Sequence, residues 1–280
     1  MSKRKILIQL DTDAQASTFD RVVAIDSGVD ELFSYSQVTV DQVESLVHGV
    51  MFTRGPDDLK HTAIFIGGSD VAASEAILEK VKQTFFGPLC VSVMFDANGA
   101  NTTAAAAVLA AASHLNLSQT NALVLGATGP VGQRAARLLA GQGATVKVAS
   151  RSLDRATHVA QLINQTVKGD HVLPATGLPL EGAQLVIAAG AAGVTLLTSD
   201  QRTKAKGLHV VIDLNAVAPL GIEGIEVADK AVQRDGQITY GAIGIGGNKM
   251  KIHKVAVAAL FESNDQILDA ESIFNLAESL

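Results

Sequence analysis

Apolar residues in this chain come in short runs that stop at glycine or at an acidic residue, and most runs are followed by a stretch with helical spacing. Ile6-Leu7-Ile8-Gln9-Leu10 predicts a strand opening onto Asp11-Thr12-Asp13, and Ser17 to Ala24 a helix start with capping residues. Val38 to Val50 predicts a helix that begins near Thr39 and Asp41, and Thr62 to Gly68 a buried strand. Asp70 to Thr84 predicts a helix with Val71, Ile77, Leu78 and Val81 on its apolar positions, Leu89 to Phe95 a strand, and Ala104 to Leu115 a long alanine-rich helix. Beyond it, strands are expected at Leu123 to Leu125, Ala144 to Ala149, Gln184 to Ala189 and Val210 to Leu214, and a helix over Leu153 to Val167. Alternating strands and helices of this kind predict parallel sheets covered by helices.

The most informative stretch is Leu123-Val124-Leu125-Gly126-Ala127-Thr128-Gly129-Pro130-Val131-Gly132, followed by the helix former Gln133 to Ala140. Strand, tight turn and helix in that order let a pyrophosphate approach free N–H groups at a helix N-terminus, where the dipole also favours negative charge. Thr128, Gly129, Pro130, Val131 and Gly132 are therefore candidate cofactor contacts. The next strand ends in Ser150-Arg151-Ser152, about 20 residues on, where a ribose-reading residue is expected. An acidic residue there would select NAD, whereas Arg151 offers a fork of donors to a 2′-phosphate. The expected cofactor is NADP, with Arg151 as a merely solvated residue the competing reading. Ala189 and Gly190 end another strand in small residues that let a nicotinamide ribose lie close to the backbone. Asn215, Gly241 and Ile243 complete the candidate cofactor contacts.

These runs predict an α/β protein of two domains. A smaller domain with a parallel sheet, carrying the substrate, is expected over 1–98, and a Rossmann-type NADP-binding domain over 99–247. The C-terminal helices, 248–280, are expected to return to the first domain. A chain of 280 residues is long enough for both. Its apolar share is 48% and its aromatic share only 4%, which suits closely packed helices on parallel sheets. The net charge of −6 without a basic cluster argues against nucleic acid. The longest apolar run found, Ala104 to Ala112, is too short for a membrane span, and no signal peptide is read at the start. One cysteine, Cys90, cannot form an internal disulfide; it fits a reducing cytoplasm and reads as a small core residue rather than a nucleophile. The seven histidines show no metal-ligand spacing.

Asp96-Ala97-Asn98-Gly99-Ala100-Asn101-Thr102-Thr103 sets small and polar side chains between a strand and the alanine-rich helix. Asn101 or Thr102 could simply cap that helix. Alternatively the segment lines an inter-domain cleft, with Asn98, Thr102 and Thr103 on the substrate. Asp11, Asp13 and Asp20 could touch substrate too, or Asp11 and Asp20 could only cap and solvate helix ends. Lys249 follows a glycine-rich stretch read as a loop and shares a helical face with Ile252, Ala256 and Leu260. It points inward as a site lysine, or it snorkels to the edge of an apolar face or pairs with a nearby carboxylate.

Several of these segments together resemble one family. They are Gln9-Leu10-Asp11-Thr12-Asp13-Ala14, Phe85-Phe86-Gly87-Pro88, Asp96 to Ala106, Thr128 to Gly132, Asn215-Ala216 with Pro219 to Ile222, and Gly241 to Gly247 with Lys249, Lys251 and His253. The chain is similar throughout to the NADP-dependent methylene-tetrahydromethanopterin dehydrogenases of methylotrophic bacteria. It departs from them at Ala127, where the family often has the first glycine of its turn. The resemblance implies reversible oxidation of a methylene-tetrahydropterin to the methenyl form, in one-carbon metabolism, with tetrahydromethanopterin as the leading carrier and tetrahydrofolate as a second. It also implies a homo-oligomer, a trimer among its forms, and no metal or flavin. Thr102 and Lys249 are the expected catalytic residues.

Hydride loss from a carbon between two nitrogens leaves an amidinium and moves no proton, so positioning is the main demand. A cationic Lys249 beside that carbon would oppose the developing charge, so its place is on the pterin's oxygen and amide side, or it acts as a neutral amine. Two rivals stand beside this reading: a bifunctional methylene-tetrahydrofolate dehydrogenase and cyclohydrolase, and a regulatory protein that senses NADP without turnover.

Overall fold

A computed structural model of the chain describes residues 3–279. Contacts divide the chain into two compact units, Met1–Thr102 with Met250–Leu280, and Thr103–Lys249. The divisions fall within two helices, a few residues from the loop boundaries expected from sequence.

The first unit carries β1 (Ile6–Asp11), α1 (Thr18–Asp26), β2 (Glu31–Tyr35), α2 (Val40–Met51), β3 (Thr62–Gly67), α3 (Val71–Thr84) and β4 (Ser92–Phe95). The second carries most of α4 (Ala100–Ala112), then β5 (Asn121–Leu125), α5 (Pro130–Gly141), β6 (Thr145–Ser150), α6 (Leu153–Val167), β7 (Val172–Thr176), β8 (Leu185–Ala188), α7 (Ser199–Lys204), β9 (Val210–Asp213), β10 (Lys230–Arg234) and β11 (Gln237–Tyr240). Helix α8 (Ala242–Ala259) leads back to the first unit, which ends in β12 (Ile267–Leu268) and α9 (Ala270–Ala277).

In the first unit five parallel strands run in the order β12-β4-β3-β1-β2. Ile8, Leu10, Ile64, Ile66, Val93 and Phe95 of its strands are buried in one cluster with Val43 and Val47 of α2 and Ile77 and Val81 of α3. Burial of each such side chain contributes roughly 1.5–3 kcal/mol. In the second unit the order is β10-β11-β9-β8-β5-β6-β7, parallel except for the β10–β11 hairpin. The chain reverses beside β5, and ligands of open α/β sheets bind at the carboxyl ends of strands near such a reversal.

Three expectations need correction. Helix α4 begins at Ala100, not Ala104, because Asp96 caps it from four residues back: its Oδ1 accepts from the N–H groups of Asn101 (2.9 Å) and Thr102 (3.1 Å). Asn101 and Thr102 therefore lie in the first turn and are not the caps. The glycine-rich stretch 241–247 is not a loop; α8 starts at Ala242 and takes in Gly244, Gly246 and Gly247. Strands β2, β7 and the β10–β11 hairpin were not expected at all. Edge strand β2 keeps Phe33 and Tyr35 exposed, and edge strand β7 contains Pro174, so neither shows the apolar pattern of a central strand. Among the described residues no helix is long and apolar enough to cross a membrane.

Candidate active site

The glycine turn of the second unit is shaped by what cannot fit there. Gly126 has φ +72°, and a Cβ on it would lie 2.5 Å from Gly190 Cα. Gly132 approaches the turn just as closely, since its Cβ would lie 2.8 Å from Ala127 Cα. Gly126 thus takes the left-handed position and the close approach, which is why Ala127 is tolerated beside it, itself buried. Gly129 donates to the Gly126 carbonyl (3.0 Å) and caps α5, with Pro130 at the first helical position. Gln133 Nε2 closes the turn on the Thr128 carbonyl at 2.9 Å. The N–H groups of the first turn of α5 are left to meet an anion.

Leu125 pairs with Ala149, so Ser150, Arg151 and Ser152 emerge beside the turn. Arg151 is exposed, while the Ser152 hydroxyl accepts from Arg155 N–H and caps α6. Sequence reasoning passed over Asp154, Arg155 and His158 on that helix. With Thr128, Gln133 and Val159 they line a cavity of about 400 Å³ next to the turn. Their helical spacing from Ser152 was the only available signal. A second cavity, about 440 Å³ and lined by His114, Gln184 and His209 among others, lies where β8 and β9 begin. That is the opposite end of the sheet from the glycine turn.

At the end of β9 the buried Asp213 accepts from the N–H groups of Asn215 (3.0 Å) and Ile222 (2.8 Å). Burial pushes its carboxyl up, with those backbone donors pulling the other way. The Asn215 amide is engaged within its own loop, accepting from Val217 N–H and donating to the Pro219 carbonyl. Gly241 and Gly244 let the start of α8 press on the segment before β10. Their Cβ atoms would lie 2.1 Å from the Glu226 carbonyl oxygen and 1.8 Å from that of Asp229. Ile243 stands exposed between them.

In the first unit the strand ends carry charge. Buried Asp11 accepts from Asp13 N–H and Ser17 N–H, both at 2.9 Å. Asp13 accepts from the N–H and hydroxyl of Ser69 after β3. Asn98 adopts φ 52°, and its N–H donates to the Gly68 carbonyl at 2.8 Å. Thr102 is wholly buried and its hydroxyl donates to Asp96 Oδ2 at 2.6 Å, so it acts on Asp96 directly; Thr103 and Lys249 are half-buried. Asp20, in the first turn of α1, lies 4.0 Å from His253 Nε2, and Asp96 lies 3.9 Å from His253 Nδ1. His253 is buried and stacked on Phe65, with ring centroids 5.6 Å apart. Sequence reasoning placed His253 only among the residues of the resemblance, without a role. Cys90 is half-buried, its thiol pushed up by burial and then by the Asp265 charge.

A parallel sheet reversing beside a glycine turn that excludes side chains, joined to a second parallel sheet with charged strand ends, defines a two-domain dehydrogenase of the Rossmann type. Residues 18–98 match the family described as methylene-tetrahydromethanopterin dehydrogenase, N-terminal, and residues 108–223 match shikimate / quinate 5-dehydrogenase. The chain is 44% identical to the bifunctional protein MdtA of Methylorubrum extorquens, over 100% of both chains. It is 31% identical to the NAD(P)-dependent methylenetetrahydromethanopterin dehydrogenase of the same organism, over 98% of each. The chain belongs to the methylene-tetrahydromethanopterin dehydrogenase family. Its fold is also that of the quinate dehydrogenase of Corynebacterium glutamicum (15% identity, TM-score 0.50, 99% of this chain and 100% of that one). Shikimate 5-dehydrogenase of Listeria monocytogenes is a further match (12% identity, TM-score 0.51, 98% and 96% covered).

Proposed function

We propose that this chain oxidises the methylene bridge of methylene-tetrahydromethanopterin to the methenyl form with NADP⁺, and that methylene-tetrahydrofolate is its second substrate. The observation that carries the reading is the likeness over 98% of the chain to an NAD(P)-dependent methylenetetrahydromethanopterin dehydrogenase. A turn in which Gly126 and Gly132 leave no room for a side chain supports it, as does the absence of an acidic residue at Arg151.

NADP⁺, when bound, supplies the hydride acceptor. The backbone of Thr128 to Gly132 holds its pyrophosphate, with Ala189 and Gly190 leaving space along the backbone. Arg151, flanked by Ser150 and Ser152, takes the 2′-phosphate; Asn215, through the loop it fixes, and Gly241 and Ile243 complete that side. Asp13, Asp20, Asn98 and Thr103 face the pterin, and Thr102 acts through Asp96. Lys249 donates to the pterin's oxygen and amide side, away from the carbon that becomes positive. No residue need move a proton in the hydride step, so the task of these groups is to orient and to balance charge. We take the working form to be a homo-oligomer, a trimer first among the candidates, in the cytoplasm.

The test is to supply the purified protein with each methylene carrier and with NADP⁺ or NAD⁺, and follow absorbance of the reduced nicotinamide. The reading requires turnover with methylene-tetrahydromethanopterin and NADP⁺. No nicotinamide reduction with either carrier would overturn it.

A further inference from the structure

One buried carboxylate of the second unit holds the loop that follows β9. Asp213, the last residue of that strand, is 1% exposed, and both of its oxygens are used. Oδ1 accepts from Asn215 N–H at 3.0 Å and Oδ2 from Ile222 N–H at 2.8 Å, so the two ends of loop 214–222 are pinned to a single side chain. The Gly221 N–H donates to it as well, and a Cβ on Gly221 would lie 2.8 Å from Oδ1. The loop therefore closes on the carboxylate at a residue without a side chain. Its middle is tied by Asn215, which accepts from Val217 N–H at 3.0 Å and donates to the Pro219 carbonyl at 3.3 Å.

The loop after β8 is laced to this one. The Gly221 carbonyl accepts from the N–H groups of Leu196 (2.8 Å) and Leu197 (3.1 Å), and the Leu220 carbonyl from the Thr195 hydroxyl (3.2 Å). Both loops carry an exposed aliphatic side chain, Val194 at 46% and Val217 at 54%. They stand close along the backbone, since a Cβ on Gly193 would lie 3.9 Å from the Ala218 carbonyl oxygen. Strands β8 and β9 lie on the side of β5 away from β6. A dinucleotide with its 2′-phosphate at Arg151, after β6, and its pyrophosphate on the turn after β5 must run its other end over the carboxyl ends of β8 and β9. That end is the nicotinamide, a flat ring whose faces take apolar contact.

We propose that Asp213 is a positioning residue for the nicotinamide half of the cofactor: by pinning both loops it sets Val194 and Val217 as an apolar seat for the ring. The inference rests on the reading under Proposed function. A seat fixed in advance confines the hydride-accepting carbon to one orientation and keeps water from it, which is what a hydride step without proton movement asks of the protein.

Asp213→Asn keeps the size of the side chain but not its acceptors: whichever way the amide is turned, its NH₂ group faces a backbone N–H. Calorimetric titration with NADP⁺ and with adenosine 2′,5′-bisphosphate, which carries the 2′-phosphate end but no nicotinamide, separates the two halves of the cofactor. Affinity of Asp213→Asn for NADP⁺ is expected to fall about tenfold, with that for the bisphosphate unchanged. Val217→Ser, at an exposed position, should show a loss of about threefold for NADP⁺ alone, and it decides the matter should Asp213→Asn not fold. In both variants the emission of bound NADPH should move toward that of NADPH in water. Equal losses for the two ligands in Asp213→Asn would reduce Asp213 to a structural residue and overturn the proposal. Unchanged NADP⁺ affinity and NADPH emission in Val217→Ser would overturn it too. A wild-type protein that binds both ligands, and whose variants lose only NADP⁺, but that turns over no methylene-pterin would instead overturn the functional reading.

Discussion

The two parallel sheets of this molecule end in opposite ways. In the second unit the strand ends are stripped of side chains: Gly126 touches Gly190 backbone to backbone, and Gly132 lies against Ala127. In the first unit they are crowded with Asp11, Asp13, Asp20 and Asp96, each tied to a backbone N–H, a hydroxyl or His253. Backbone N–H groups and a helix end suit a ligand that is itself anionic, such as a dinucleotide. Fixed carboxylates suit a ligand that becomes positive. The difference teaches that one sheet end offers backbone donors and the other carboxylates, the two signs that the proposed hydride transfer from a reduced carrier to an oxidised nicotinamide would use.

The comparison can be broken most forcefully at Gly126. Gly126→Val adds a branched side chain where even a Cβ would lie 2.5 Å from Gly190 at φ +72°, so affinity for NADP⁺ in a calorimetric titration should fall more than about a hundredfold. The nearest atoms to a Cβ on Gly190 belong to the Leu196 side chain, which can move, so Gly190→Ala should cost far less. Equal affinities for wild type and Gly126→Val would remove the turn from the cofactor site. Next in size is Lys249→Ala, expected to change pterin KM or kcat by about ten- to a hundredfold in steady-state kinetics while leaving NADP⁺ affinity intact. Arg151→Ala should raise the KM for NADP⁺ about tenfold and leave that for NAD⁺ nearly unchanged, which sharpens the 2′-phosphate assignment.

The smallest effect is expected where the glycine-rich start of α8 is supported. Asp229 is buried, which by itself pushes its carboxyl up, but Arg234, Thr239 and the Glu226 N–H outweigh this and hold it below the usual carboxylate value. An acid with a lowered folded value adds stability above its unfolded value of 3.8, lost as pH falls through the folded one. Arg234→Gln should therefore lower Tm at neutral pH and flatten the decline of Tm toward acid. A calorimetric scan across pH checks both.

The glycine turn was legible in the sequence because its parts are contiguous and its requirement is simply a lack of side chains at fixed spacing. The charged end was only partly legible. Asp13, Asp20 and Asn98 stand out as polar residues after strands, but His253 meets Asp20 and Asp96 only through the fold, and a lone histidine on a helix announces nothing. Asn101 and Thr102 are both good caps, so nothing local revealed that Asp96 reaches forward to start α4. The glycines of 241–247 suggested a loop because glycine disfavours helix. For Gly244, the reason it is tolerated is the Asp229 carbonyl, 1.8 Å from where a Cβ would sit.

Hydride transfer itself is the point on which everything turns, and isotopic labelling tests it most directly. The protein is mixed with NADP⁺ and methylene-tetrahydromethanopterin carrying two deuterons on the methylene carbon, and the NADPH formed is weighed by mass spectrometry. One deuteron on each reduced nicotinamide is the predicted result. Reduced nicotinamide carrying only hydrogen from solvent, or no reduced nicotinamide at all, would contradict it.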